Sequence, residues 1–123
     1  MAKKILFIED ESALQEALTH VLEEAGYAVV SALDGEIGMR VAQEEKPDLI
    51  LLDLILPKKD GFDVLKALKE GPITKEIPVI ILTNLAGEEH IERALALGAT
   101  TYLIKTNYRV EEVVEKIKDL LRA

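Results

Sequence analysis

Short apolar runs alternate with stretches in which apolar residues recur at helical spacing, five times along the chain. Lys4 to Ile8 reads as a strand. Leu14, Ala17, Leu18, Val21, Leu22 and Ala25 then share one helical face, and Gly26 follows as the stop. Tyr27 to Ala32 predicts a second strand. Asp34 can cap a weaker helix carrying Ile37, Val41 and Ala42. Pro47-Asp48 introduces the third strand, Leu49 to Leu52, and a loop with Pro57 and Asp60-Gly61 comes next. Val64, Leu65 and Leu68 mark the third helix, ended by Gly71-Pro72. Val79 to Leu82 is the fourth strand; Ile91, Ala94 and Leu95 belong to a helix that stops at Gly98. Thr101 to Ile104 is the fifth strand. The last helix carries Val110, Val113, Val114, Ile117, Leu120 and Leu121 on one stripe.

The third and fourth strands are unbroken apolar runs, which predicts burial on both faces in a parallel sheet covered by helices. Right-handed crossovers then give a doubly wound α/β sandwich. Ligands in such sheets bind outside the carboxyl ends of the strands. Polar residues stand at those ends: Glu9 and Asp10 after the first run, Asp53 after the third, Thr83 after the fourth and Lys105 after the fifth.

Carboxylates crowded at one edge repel one another and favour a divalent cation. Mg²⁺ needs few protein ligands, so Asp10 and Asp53 directly, Glu9 through water and the backbone carbonyl of Ile55 would suffice. Asp53, alone among aliphatics, is placed as a nucleophile toward phosphorus, giving an acyl phosphate. The Thr83 hydroxyl would donate to a phosphoryl oxygen, and Lys105 would neutralise phosphoryl charge. Tyr102 is either plain core or a mobile aromatic near the site. His20 and His90 lack partners at metal or triad spacing and read as helix-surface residues.

Composition narrows the setting. The 123 residues suit one compact domain, residues 1–123, and 49% are apolar, enough for a core without staples. There is no Cys, so disulfides and thiol chemistry are excluded. The apolar runs are too short to span a bilayer, and the N-terminus does not resemble a signal peptide, so a cytoplasmic location is expected. A net charge of −8 with no basic stripe argues against direct nucleic-acid binding. No Gly-rich phosphate loop follows the first strand, which argues against a nucleotide site of that type.

Over its whole length the chain resembles the receiver domain of two-component response regulators. The motifs are Ile8-Glu9-Asp10-Glu11, Asp53 to Pro57 with Asp60-Gly61, Pro78 to Thr83, and Gly98-Ala99 with Tyr102 to Lys105. The resemblance implies five parallel strands in the order 2-1-3-4-5. It implies that Asp53 accepts phosphate from a histidine kinase or phosphotransfer protein, with Mg²⁺ near Asp10 and Asp53. It also implies a switch in which Thr83 moves toward the phosphoryl group and Tyr102 turns inward, remodelling the surface of the fourth helix, fifth strand and fifth helix for a protein target or fused output domain.

Several positions depart from the family pattern. Thr106 and Asn107 follow Lys105 where Pro is usual, and Val110 opens the last stripe one position late. The loop is therefore expected to be one residue longer, with Lys105-Thr106 trans and Asn107 capping the last helix. Asn84 stands where a small residue is usual. Ile55 and Leu85 sit where family members set phosphoryl lifetime; both are aliphatic, which predicts slow loss of phosphate. Thr100 and Thr101 replace the acidic residues of many dimerising receivers. Two rivals remain: a receiver-like interaction module that is never phosphorylated, and a magnesium-dependent phosphohydrolase. Ile55 stands where such hydrolases commonly place a general acid, which argues against the second.

Overall fold

The computed structural model describes residues 2–122. Strands β1 (Lys4–Ile8), β2 (Ala28–Ala32), β3 (Leu49–Leu52), β4 (Val79–Thr83) and β5 (Thr101–Ile104) alternate with helices α1 (Ser12–Glu24), α2 (Gly35–Glu45), α3 (Gly61–Glu70), α4 (Glu88–Ala96) and α5 (Val110–Leu121). The strands form one parallel sheet in the order β2-β1-β3-β4-β5, as the resemblance implied.

Side chains alternate across each strand, so one continuous apolar run feeds two cores. Leu6, Ile8, Ile50, Leu52, Val79 and Ile81 pack with Ala42, Val64, Leu65, Leu68 and Ala94 beneath α2, α3 and α4. Ile5, Phe7, Leu49, Leu51, Ile80 and Leu82 pack with Leu18, Leu22, Val113, Val114 and Ile117 beneath α1 and α5. Each fully buried aliphatic side chain contributes about 1.5–3 kcal/mol relative to exposure, so both cores resist sliding of the strands. That fixed register brings the carboxyl ends of the strands together. Ile8 pairs with Leu52, Leu52 with Ile81, and Thr83 with Ile104.

The structure corrects the sequence reading in three places. Tyr27 precedes β2 rather than belonging to it. On α1 the buried residues are Gln15, Leu18 and Leu22, whereas Ala17 and Ala25 are exposed. Asn107 is not a helix cap: it ends a 3₁₀ turn, Lys105–Asn107, and the chain stays extended through Tyr108 and Arg109 before α5 begins. Arg109 is the N-cap position, and its backbone N–H donates to Glu112 Oε1 at 2.9 Å. The extension lets Tyr108 pack against the α1–α5 core and starts the helix at Val110, the head of its apolar stripe. Asp34 does cap α2, accepting from the Ile37 N–H at 2.9 Å. The Lys105-Thr106 bond is trans.

Candidate phosphoryl-acceptor site

Lys105 leaves the end of β5 and places its ammonium among carboxylates. Nζ lies 2.8 Å from Glu9 Oε1, 3.0 Å from Asp53 Oδ2 and 3.5 Å from Glu11 Oε1. Asp53 is 3% exposed, and its other oxygen, Oδ1, accepts from the Ile55 N–H at 3.1 Å. Both carboxylate oxygens are thus oriented, one by a cation and one by the backbone. Only glycine lets the start of α3 lie against this strand end: a Cβ on Gly61 would come within 2.6 Å of the Asp53 carbonyl oxygen.

Glu9 is fully buried. Its Oε2 accepts from the Glu11 N–H at 3.0 Å, while Oε1 faces Lys105 without a donor aligned for a hydrogen bond. Burial pushes the Glu9 carboxyl up to about 7, against the pull of Lys105 and the Glu11 N–H; the Asp53 charge adds to the rise. For Lys105, burial acts to lower the pKa, but the close contacts with Glu9 and Asp53 and the charges of both outweigh it, and the net shift is upward.

Asp10 is exposed, at the mouth of the site. Glu9, Asp10 and Asp53 each offer an oxygen within 4.8 Å of the others. One ammonium against this group leaves negative charge uncompensated, and the poorly satisfied Glu9 Oε1 faces the same cluster. These residues fit a hard divalent cation with oxygen ligands. Ile55 takes part through its N–H, on Asp53.

Thr83 is fully buried at the end of β4, and its hydroxyl oxygen accepts from the Leu85 N–H at 3.3 Å. The Tyr102 hydroxyl donates to the Leu85 carbonyl. Burial raises the Tyr102 pKa, and the Asp53 charge adds to this. The Leu85 peptide therefore bridges Thr83 and Tyr102, a backbone role no sequence pattern announces. The Leu85 side chain is half-buried against the α2–α4 core, Asn84 is exposed, and Ile55 is 55% exposed at the site's rim. The histidines lie elsewhere. His20 is exposed beside Glu24, whereas His90 is a partly covered residue, its ring 6.2 Å from that of Phe62.

Gln15 is the residue that sequence reasoning missed. A polar side chain on α1 reads as an interruption of the stripe, yet this one is 8% exposed and reaches the backbone behind Glu9.

Known proteins fit this geometry. The response regulator receiver domain family matches residues 5–118. The alkaline phosphatase synthesis transcriptional regulatory protein PhoP of Bacillus subtilis is 40% identical over 124 residues, covering 99% of this chain and 50% of that protein. The chain spans about half the length of the curated relatives it matches. The Mn²⁺-bound form of response regulator Rcp1 superposes with a TM-score of 0.84 at 34% identity, covering 95% of this chain and 92% of that one. Chemotaxis protein CheY4 of Vibrio cholerae gives a TM-score of 0.90 at 29% identity, covering 98% and 100%. With a family match over residues 5–118 and this coverage by its relatives, the chain belongs to the response regulator receiver domain family.

Proposed function

We propose that residues 1–123 act as a cytoplasmic, phosphorylation-controlled switch in which Asp53 accepts a phosphoryl group from a phosphohistidine on a histidine kinase or phosphotransfer protein. The observation that carries this reading is the setting of Asp53: nearly buried, with Oδ2 on Lys105 and Oδ1 on the Ile55 N–H, beside Glu9 and Asp10. A carboxylate oxygen of Asp53 attacks phosphorus in line. The P–N bond to the donor imidazole breaks as the P–O bond to Asp53 forms. Lys105 neutralises charge on the transferred group, and Thr83 has a hydroxyl proton to donate to it. Mg²⁺, held by Asp10, Asp53 and Glu9, would supply positive charge to the phosphoryl oxygens.

Thr83 cannot turn toward Asp53 without disturbing its bond from the Leu85 N–H, and Leu85 also holds Tyr102. That linkage supports a switch read out at α4, β5 and α5 by a protein target or an attached output domain. No helix among the described residues is long and apolar enough to cross a membrane, which is consistent with the cytoplasmic setting. Ile55 offers no proton to a leaving group, so the site favours a single transfer over turnover hydrolysis. The Ile55 and Leu85 side chains give an attacking water nothing to bond, so loss of the phosphoryl group is expected to be slow; Asn84 is exposed.

Incubation with acetyl phosphate and Mg²⁺ should phosphorylate the chain once, at Asp53, as read by intact mass and peptide mapping. Asp53→Asn should abolish the modification. A phosphoryl group that maps to another residue in the Asp53→Asn variant would overturn the assignment.

A further inference from the structure

We propose that Gln15 is a positioning residue for the cation site, holding the Glu9-Asp10 peptide in the orientation that presents both carboxylates to a divalent ion. The inference rests on the cation-binding reading given above. Gln15 belongs to none of the groups that would touch the ion. Its Nε2 donates to the carbonyls of Glu9 at 2.9 Å, Ala32 at 3.0 Å and Phe7 at 3.3 Å. An amide nitrogen carries two hydrogens, so three acceptors share two donors.

The Ala32 carbonyl also accepts from the Glu9 N–H at 2.9 Å. Glu9 is therefore fixed on both sides: its N–H on the end of β2, its C=O on α1 through Gln15. The first bond fixes the peptide joining Ile8 to Glu9, and the bond from Gln15 orients the peptide joining Glu9 to Asp10. Little else holds it. Helix α1 has no side-chain cap at Glu11. The Glu11 N–H is satisfied by the Glu9 carboxylate itself, the group a cation would draw away. Three consecutive acidic residues, Glu9, Asp10 and Glu11, repel one another at this corner.

Gln15 supplies its N–H donors from α1, outside the groups that would touch the ion, so it orders the corner without competing for the cation. An apolar side chain of similar length would fill the same space and leave the carbonyls of Glu9 and Ala32 without this donor. Outer partners that orient metal ligands typically shift metal affinity by about 10- to 100-fold when removed.

The test is Mg²⁺ titration by calorimetry on the full chain, with Gln15→Met and Gln15→Lys beside wild type. Thermal midpoints are recorded in chelator. Gln15→Met keeps length and removes both N–H donors; Gln15→Lys keeps a donor. The expected result is a Kd for Mg²⁺ weakened about ten-fold in Gln15→Met. Gln15→Lys should stay within about three-fold of wild type, despite its added charge. In Gln15→Met, the amides of Glu9, Asp10 and Glu11 should also exchange faster in metal-free protein. A lowered midpoint with an unchanged Kd would mark Gln15 as merely structural and overturn the proposal. So would equal loss of affinity in both variants. If Gln15→Met does not fold, Gln15→Ala takes its place: a loss of affinity of about ten-fold supports the proposal, and near wild-type affinity overturns it. If wild type itself binds no Mg²⁺ at millimolar concentration, the cation reading falls and this inference falls with it.

Discussion

Helices α4 and α5 flank the same edge of the sheet, yet they are attached very differently. Helix α5 buries Val113, Val114 and Ile117 and adds Val110, Leu120 and Leu121 at the margin. Helix α4 buries Ala94 alone, while Leu95 is 46% exposed. What α4 lacks in burial it replaces with surface contacts on α3: the Arg93 guanidinium carbon stands 4.1 Å from the centroid of the Phe62 ring, and the His90 ring is tilted over the same side chain. Local stability follows buried apolar contact. The helix next to the Thr83–Leu85–Tyr102 linkage is thus the one that can move at least cost, and the opposite core need not open.

The largest expected effect tests that asymmetry directly. Ile117→Ala, at a fully buried position, should lower global stability by about 2–5 kcal/mol. Leu95→Ala on α4 should cost less than about 1 kcal/mol. Urea unfolding with unchanged m-values checks both. Comparable losses would mean that α4 is as firmly anchored as α5 and would remove the basis of the contrast.

The two helices also differ in how they begin. The segment leading to α5 starts at Lys105, gripped by Glu9 and Asp53. Glu9 is raised from 4.5 to about 7, chiefly by burial. A carboxyl raised in the folded state contributes stability that is fully present below its unfolded value and is lost as pH climbs through the folded value. The window for Glu9 therefore runs from 4.5 to about 7. A bound cation favours the charged form and opposes this loss. The gap between the thermal midpoints in saturating Mg²⁺ and in chelator should widen between about pH 5 and pH 8. A gap that stays constant across that range would show Glu9 ionised throughout.

Legibility in the sequence divides along the same line between side-chain pattern and everything else. Strand ends were readable because Asp53, Thr83 and Lys105 interrupt or terminate apolar runs, and the α5 stripe was readable because burial along one whole face leaves a repeating mark. Gln15 was not, since an amide inside a helical stripe looks like an exposed position until the neighbouring carbonyls are placed. Leu85 stands out in the sequence for its side chain, although its peptide makes the linkage. Asn107 has the chemistry of a cap, but the packing of Tyr108 carried the chain two residues further. The hold of Phe62 on α4 was invisible because the aromatic ring comes from a helix far in sequence from the guanidinium and the imidazole.

That hold gives the smallest effect and the sharpest comparison. Arg93 is exposed, and a cation–π contact at an exposed site is worth about 0.5–1 kcal/mol. Arg93→Gln keeps much of the side chain's length and removes the charge. Amide exchange in α4 should then quicken by about two- to five-fold, with α5 unchanged. Phe62→Leu keeps the apolar contact with the core and removes the ring, so it should quicken α4 by a similar factor. The double variant should add little to Phe62→Leu alone, because the ring that Arg93 covers is already gone. If Arg93→Gln leaves α4 exchange untouched, the guanidinium does not hold the helix, and the difference between the two helices reduces to buried area.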